Sequence, residues 1–261
     1  MPRGLRPVAL MALACLVGLA APVRAAEIHV LATGALSVAF KEIIPAFEKE
    51  TGHRVLISWG PSYGTSPDAL PTKIKAGQAM DVAFMVGAAL DDHVRQGFFI
   101  ADTRADLAQS RIGLAAAPGV AKPDIATPEA FRRALINAKS VAYSEGASGT
   151  YVSTTLFPKL GLAEEMKAKA VLIRGHELVG DALARGAADL GLQQVSELRS
   201  NPKIQFVGPI PESLQKVSVI SAALGKNVKA RDAALALIAF TQSPAAATLF
   251  VKTGLDPIKA P

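Results

Sequence analysis

Cysteine is nearly missing from this chain. The single one, Cys15, lies in an apolar run close to the start. If that run is removed, no disulfide can form, and stability must come from packing alone. Aromatic residues make up only 5 % of the chain, with one tryptophan, while alanine is abundant. That balance suits small-faced helices lying close on sheets. Long basic runs and alternating aromatic and basic residues are also missing, which argues against a nucleic-acid surface. There is no repeat, no low-complexity tract and no flexible linker. Two lobes, if present, would therefore be joined by crossing strands acting as a hinge.

The first residues carry Arg3 and Arg6, then an apolar stretch from Pro7 to Val23, then Val23-Arg24-Ala25. This is the pattern of a secretory signal peptide spanning residues 1–25, with export and cleavage after Ala25. The alternatives are a membrane anchor and lipid attachment at Cys15. The apolar run is short for an anchor and continues past Cys15, so cleavage is the expected outcome. Losing Arg3, Arg6 and Arg24 takes the formal charge of +6 down to +3. The remaining length is enough for one large domain or two small ones.

Apolar runs alternate with amphipathic ones along the rest of the chain. Ile28–Ala35 reads as a buried strand ending in a small turn, and 36–52 as a helix with Val38, Ile43, Ile44 and Phe47 on one face and Gly52 as its stop. Residues 127–138 read as a helix capped by Thr127, with Pro128 at its first position. The alternation continues to two helices beginning at Ala230 and Pro244. Strands separated by helices with short links predict an α/β fold of mostly parallel sheets covered on both faces.

In such sheets ligands bind beyond the carboxyl ends of the strands. Four ends here are small or polar: Thr33-Gly34-Ala35, Ser62-Tyr63-Gly64-Thr65, Ser148-Gly149-Thr150, and Arg174-Gly175-His176. Helix N-termini bring unpaired N–H groups, small residues let an anion approach, and hydroxyls add donors. Any one of these turns could be ordinary helix punctuation; their recurrence suggests convergence on a cleft. Catalytic signatures are weak. Gly146-Ala147-Ser148-Gly149-Thr150 has threonine where a nucleophile elbow needs its last glycine. Ser148 and His176 lack an evident orienting carboxylate. Asp91, Asp92 and His93 are consecutive and point different ways on a helix, which fits a helix start better than a metal site. No catalytic residue, metal ion or cofactor is therefore expected.

The order of motifs resembles the periplasmic solute-binding proteins of ABC importers, in the molybdate-binding group. The resemblance rests on Ala32-Thr33-Gly34-Ala35-Leu36, Phe47 to Gly52, Val55 to Ser58, the serine turn Pro61 to Thr65, and Ile74 to Val82. It continues with Gly149-Thr150-Tyr151 through Leu162, Gly186 to Gly191, and Phe240 to Gly254. It implies a two-lobed fold, with residues 26–108 and 217–261 forming one lobe and 109–216 the other. It also implies a small anionic ligand in the cleft, a monomer, and docking on a membrane permease. A secreted subunit presenting its ligand to a membrane sensor is the alternative role. The chain departs from the group where Thr33-Gly34-Ala35 replaces a serine turn and Gln194 replaces a tyrosine. These departures favour an organic carboxylate over a molybdate-like oxyanion. Arg174, with amides from Gln193 and Gln194, would clamp a carboxylate; otherwise it faces solvent or pairs with Glu177.

Overall fold

The computed structural model describes residues 25–258; the leader, Cys15 and the cleavage site after Ala25 lie almost wholly outside them. The strands are β1 (Glu27–Ala32), β2 (Arg54–Trp59), β3 (Val82–Val86), β4 (Ala105–Ser110), β5 (Ile112–Ala116), β6 (Val141–Ser144), β7 (Ala170–Ile173), β8 (Leu190–Gln194), β9 (Gln205–Pro209), β10 (Ser218–Leu224) and β11 (Leu255–Pro257). They form two sheets, ordered β11-β4-β10-β3-β1-β2 and β7-β6-β8-β5-β9.

Alternation along each strand explains why both sheets are covered on two faces. Val30 and Ala32 of β1, with Val82, Phe84 and Val86 of β3, face a core shared with Phe40, Phe47 and Phe250. The intervening Leu31, Ala83 and Met85 face Leu70, Ile74 and Leu90 on the other side. The second sheet divides likewise. Leu114 of β5 meets Phe131 and Leu135, while Ala115 and Ala142 meet Val179 and Leu183. A side-chain period of two sends neighbours to opposite faces, so uniformly apolar strands require helices on both.

The sheets are mixed rather than mostly parallel. β1 pairs in parallel with β2 and β3, and β6 with β7 and β8. β10 runs antiparallel to β3 and β4, as β5 does to β8 and β9. The reason is the double passage of the chain. It leaves the first sheet along β4, enters the second along β5 after Arg111, and returns from β9 to β10. The first sheet thus takes strands from 27–110 and 218–257, the second from 112–209.

The helix after β6 begins at Ala147, widens to π geometry over Val152–Leu156 and ends at Lys159. Its hydroxyls serve mainly itself. Thr150 Oγ1 donates to Gly146 O, Ser153 Oγ to Gly149 O and Thr154 Oγ1 to Thr150 O. Such back-bonding competes with regular helix geometry. Gly149 lets the helix start lie directly on the end of β6, since a Cβ there would fall 1.5 Å from the Ser144 carbonyl oxygen. Gly149→Ala is therefore expected to displace the helix start and cost about 1–3 kcal/mol, read as a lower urea midpoint with an unchanged m-value.

Candidate functional site

A cavity lies between the two sheets, at the carboxyl ends of β1, β2, β3, β6 and β8. Thr33, Gly34, Ala35, Trp59, Ser62 and Val86 line it from the first lobe, and Ser144, Glu145, Ser148, His176, Gln194 and Glu197 are among those from the second. It encloses about 50 Å³. A single water position needs about 10–15 Å³, so the space suits a compact ligand rather than a chain.

Its walls are rich in neutral donors that the protein itself leaves unused. Ser62 is 2 % exposed. Its oxygen accepts from the Val86 N–H at 3.0 Å, which leaves its O–H to donate. Ser148, also 2 % exposed, lies in the first turn of its helix, where backbone N–H groups lack intrahelical partners. At the hinge, Ser110 Oγ donates to Gln194 Oε1 at 2.8 Å. Gln194 Nε2 is buried without a partner among the described residues. Gln193 is already engaged, its Oε1 accepting from the Val179 N–H and its side chain hydrogen-bonding Glu197.

Three carboxyl groups line the wall; Glu177 is paired with Arg185, and the other two, Glu145 and Glu197, stand in different environments. Glu145 crosses between lobes. It accepts from Ser66 Oγ of the first lobe and from the Gly175 N–H of its own lobe at 2.8 Å, and Arg174 Nη1 stands 3.8 Å from its Oε2. Beside it, His176 Nδ1 and Asp68 Oδ2 meet across the cleft at 2.9 Å. That hydrogen bond holds the Asp68 carboxyl below its ordinary range. Glu197 instead sits in the short helix Val195–Leu198, three residues after Gln194 at its N-cap. This is the position from which a glutamate reaches back to the cap N–H. Burial pushes its carboxyl up to about 7, against hydrogen bonds from the Gln194 N–H and the Gln193 side chain that pull it down. Glu197 pairs with no lysine or arginine among the described residues.

The structure brings Thr33, Gly34, Ala35, Ser62, Ser148, His176 and Gln194 together around this cavity. Other residues singled out in the sequence fall elsewhere. Tyr63 and Thr150 line an adjacent groove that shares Val86 and Ala147 with the cavity. Thr65 is exposed. Gly64 backs onto Glu145, where a Cβ would come within 2.9 Å of the carboxyl carbon, and Gly149 seats its helix on β6. The expected carboxylate clamp at Arg174 is corrected. Its side chain is 66 % exposed and turns toward Glu145, because that carboxylate is the nearer partner. Glu177 pairs instead with Arg185. Glu145 and Glu197 are what the reading of turns passed over; the spacing of Gln194 and Glu197 was the available signal.

Gly34 and Glu197 explain each other. Glu197 Oε1 lies 2.6 Å from where a Cβ on residue 34 would stand. A side chain at this turn would occupy the carboxyl's place.

Two sheets, a double crossing and a cavity between them define a two-lobed solute-binding protein. The chain belongs to the bacterial extracellular solute-binding protein family, whose model matches residues 28–256. It is 41 % identical over 254 residues to an aconitate isomerase of Pseudomonas sp., covering 96 % of this chain and 97 % of that protein. It is 28 % identical over 243 residues to the molybdate-binding protein ModA of Azotobacter vinelandii, covering 87 % of this chain and 89 % of that one. The periplasmic molybdate-binding protein structure from Azotobacter vinelandii superposes with a TM-score of 0.72 at 21 % identity, over 90 % of this chain and 100 % of that chain.

Proposed function

We propose that this protein closes its two lobes on a small unsaturated polycarboxylate of the aconitate class and interconverts its isomers. The observation that carries the ligand class is the convergence, from both lobes, of unused neutral donors on one cavity that also holds Glu197, which pairs with no lysine or arginine among the described residues. Neutral donors hold an anion without a competing fixed charge, and a low dielectric strengthens them. The near full-length likeness to an aconitate isomerase supports the choice of an organic acid over an oxyanion and adds the catalytic reading. That reading goes past the sequence expectation of a receptor without enzymatic activity.

A second reading keeps the cleft but not the turnover: capture of the same anion, outside the cytoplasm, for a membrane permease. Membership of the solute-binding family favours it. One experiment addresses both. Purified protein is screened by thermal shift and calorimetry against cis- and trans-aconitate, citrate, molybdate and sulfate, and aconitate samples are followed by proton NMR. A ligand that binds only the folded state raises Tm. The expected result is a shift with aconitate and conversion between its isomers. Binding without conversion supports capture alone, and a shift with molybdate only would sink the organic-acid reading.

A further inference from the structure

Resting on the aconitate-class reading, we propose that Glu197 is the catalytic acid–base group, carrying a proton between two carbons of the bound ligand, while Glu145 holds the lobes together. The two carboxyl groups share one cavity but differ in their commitments. Glu145 is tied by Ser66 and Gly175 and lies against Gly64 and Arg174. Both hydrogen bonds end on its Oε1, and its Oε2 lies buried beside Arg174; neutralising the carboxylate would weaken the bond from Ser66 that joins the lobes. Glu197 has no cross-lobe hydrogen bond and no cationic partner among the described residues, and Gly34 of the opposite lobe lies against its Oε1 without a side chain. A group with that freedom, walled from bulk water, can exchange a proton with a ligand and keep it between steps.

The chemistry needs nothing further. Aconitate has a methylene carbon next to a carbon–carbon double bond, with carboxylates on all three carbons. Ionised Glu197 removes a methylene proton. The C–H bond breaks, an O–H bond forms, and the electron pair spreads over the three carbons and their carboxylates. Glu197 then returns the proton to the other terminal carbon. Its O–H bond breaks, a new C–H bond forms, and the double bond has moved by one position. Which geometric isomer results depends on how the methylene arm is folded in the cleft. No oxidant, reductant or second substrate enters. Thr33, Ser62, Ser148 and the Gln194 amide are placed around the cavity to stabilise the spread charge. His176, Glu177 and Glu145 are the other titratable groups lining it.

The test uses Glu197→Gln, which keeps the shape and the capacity for hydrogen bonding but not the proton exchange. Aconitate binding is measured by calorimetry. Conversion and exchange of methylene protons with D₂O are followed by NMR. Wild type is expected to convert and exchange. Glu197→Gln is expected to bind within about threefold and to lose both activities by 100-fold or more, the usual scale for a general acid–base group. Conversion by Glu197→Gln within tenfold of wild type would overturn the assignment, as would its loss in Glu145→Gln alone. Wild type that binds aconitate but neither converts nor exchanges it would overturn the catalytic role and leave the binding reading standing. Failure of every carboxylate to bind would end both. Should Glu197→Gln not fold, Glu197→Asp retains the acid on a shorter arm. It is then expected to convert slowly, and an unchanged rate would count against the proposal.

Discussion

Changing Ser62 and Gln194 together to alanine is expected to weaken ligand binding by roughly 100- to 10,000-fold. The two side chains reach the cavity from different lobes. Each offers a donor unused by the protein: the Ser62 O–H, and a Gln194 Nε2 that is buried without a partner. A hydrogen bond to a charged group contributes about 1.5–3 kcal/mol. Two bonds made from separate elements should add approximately, giving about 3–6 kcal/mol. Calorimetry on the single and double variants measures this. Two single changes of less than threefold each would show that the ligand sits elsewhere. The double variant should fold, because removing the Gln194 amide also removes a buried group without a partner. It does give up the Ser110 bond at the hinge.

The second large effect is on stability against pH. Glu197 releases its proton at about 7 in the folded protein and at an ordinary 4.5 in the unfolded chain. Between those values the folded state holds more protons than the unfolded one. Stability therefore falls as pH rises through this window and levels off above it. Over its full width the loss is about 3 kcal/mol. Asp81 acts in the opposite sense. Burial raises its carboxyl pKa, but hydrogen bonds from Ala230, His29 and Lys229 outweigh that and hold it below 3.8. Its contribution is present above the ordinary carboxylate range and is lost as pH falls below it, so the two windows separate. Urea unfolding at pH 5 and pH 8 should show wild type weaker at the higher pH. Glu197→Gln should remove most of that difference. Equal slopes in the two proteins would mean that Glu197 titrates normally.

Much of the fold was legible because it is written in runs of residues. The unbroken apolarity of Val82–Val86 demanded cover on both faces, and the missing linker required crossing strands. The short β4 and β11 were harder to see. Ala105–Ser110 carries Asp106 and Gln109, and its strand conformation comes from lying between β10 and β11 rather than from its own pattern. The cleft was legible as a set of turns but not atom by atom. Which hydroxyl points inward depends on a helical phase of one residue. Ser148 faces the cavity, while Thr150, two positions later, turns back on Gly146. Arg174 was misplaced because its partner, Glu145, lies 29 positions earlier and meets it only through the pairing of β6 with β7. Beyond its spacing from Gln194, nothing in the local sequence sets Glu197 apart. Its distinction is the missing side chain at residue 34 on the other lobe, a relation between lobes that no local pattern carries.

The bridges from Ser66 to Glu145 and from Asp68 to His176 also set a clock. They join the lobes through the protein's own atoms, so opening the cleft for a ligand would mean breaking both. Its capture rate would rise with concentration only until opening becomes the slow step, and then stay flat. Cutting a bridge would hasten arrival and departure alike, trading residence for traffic.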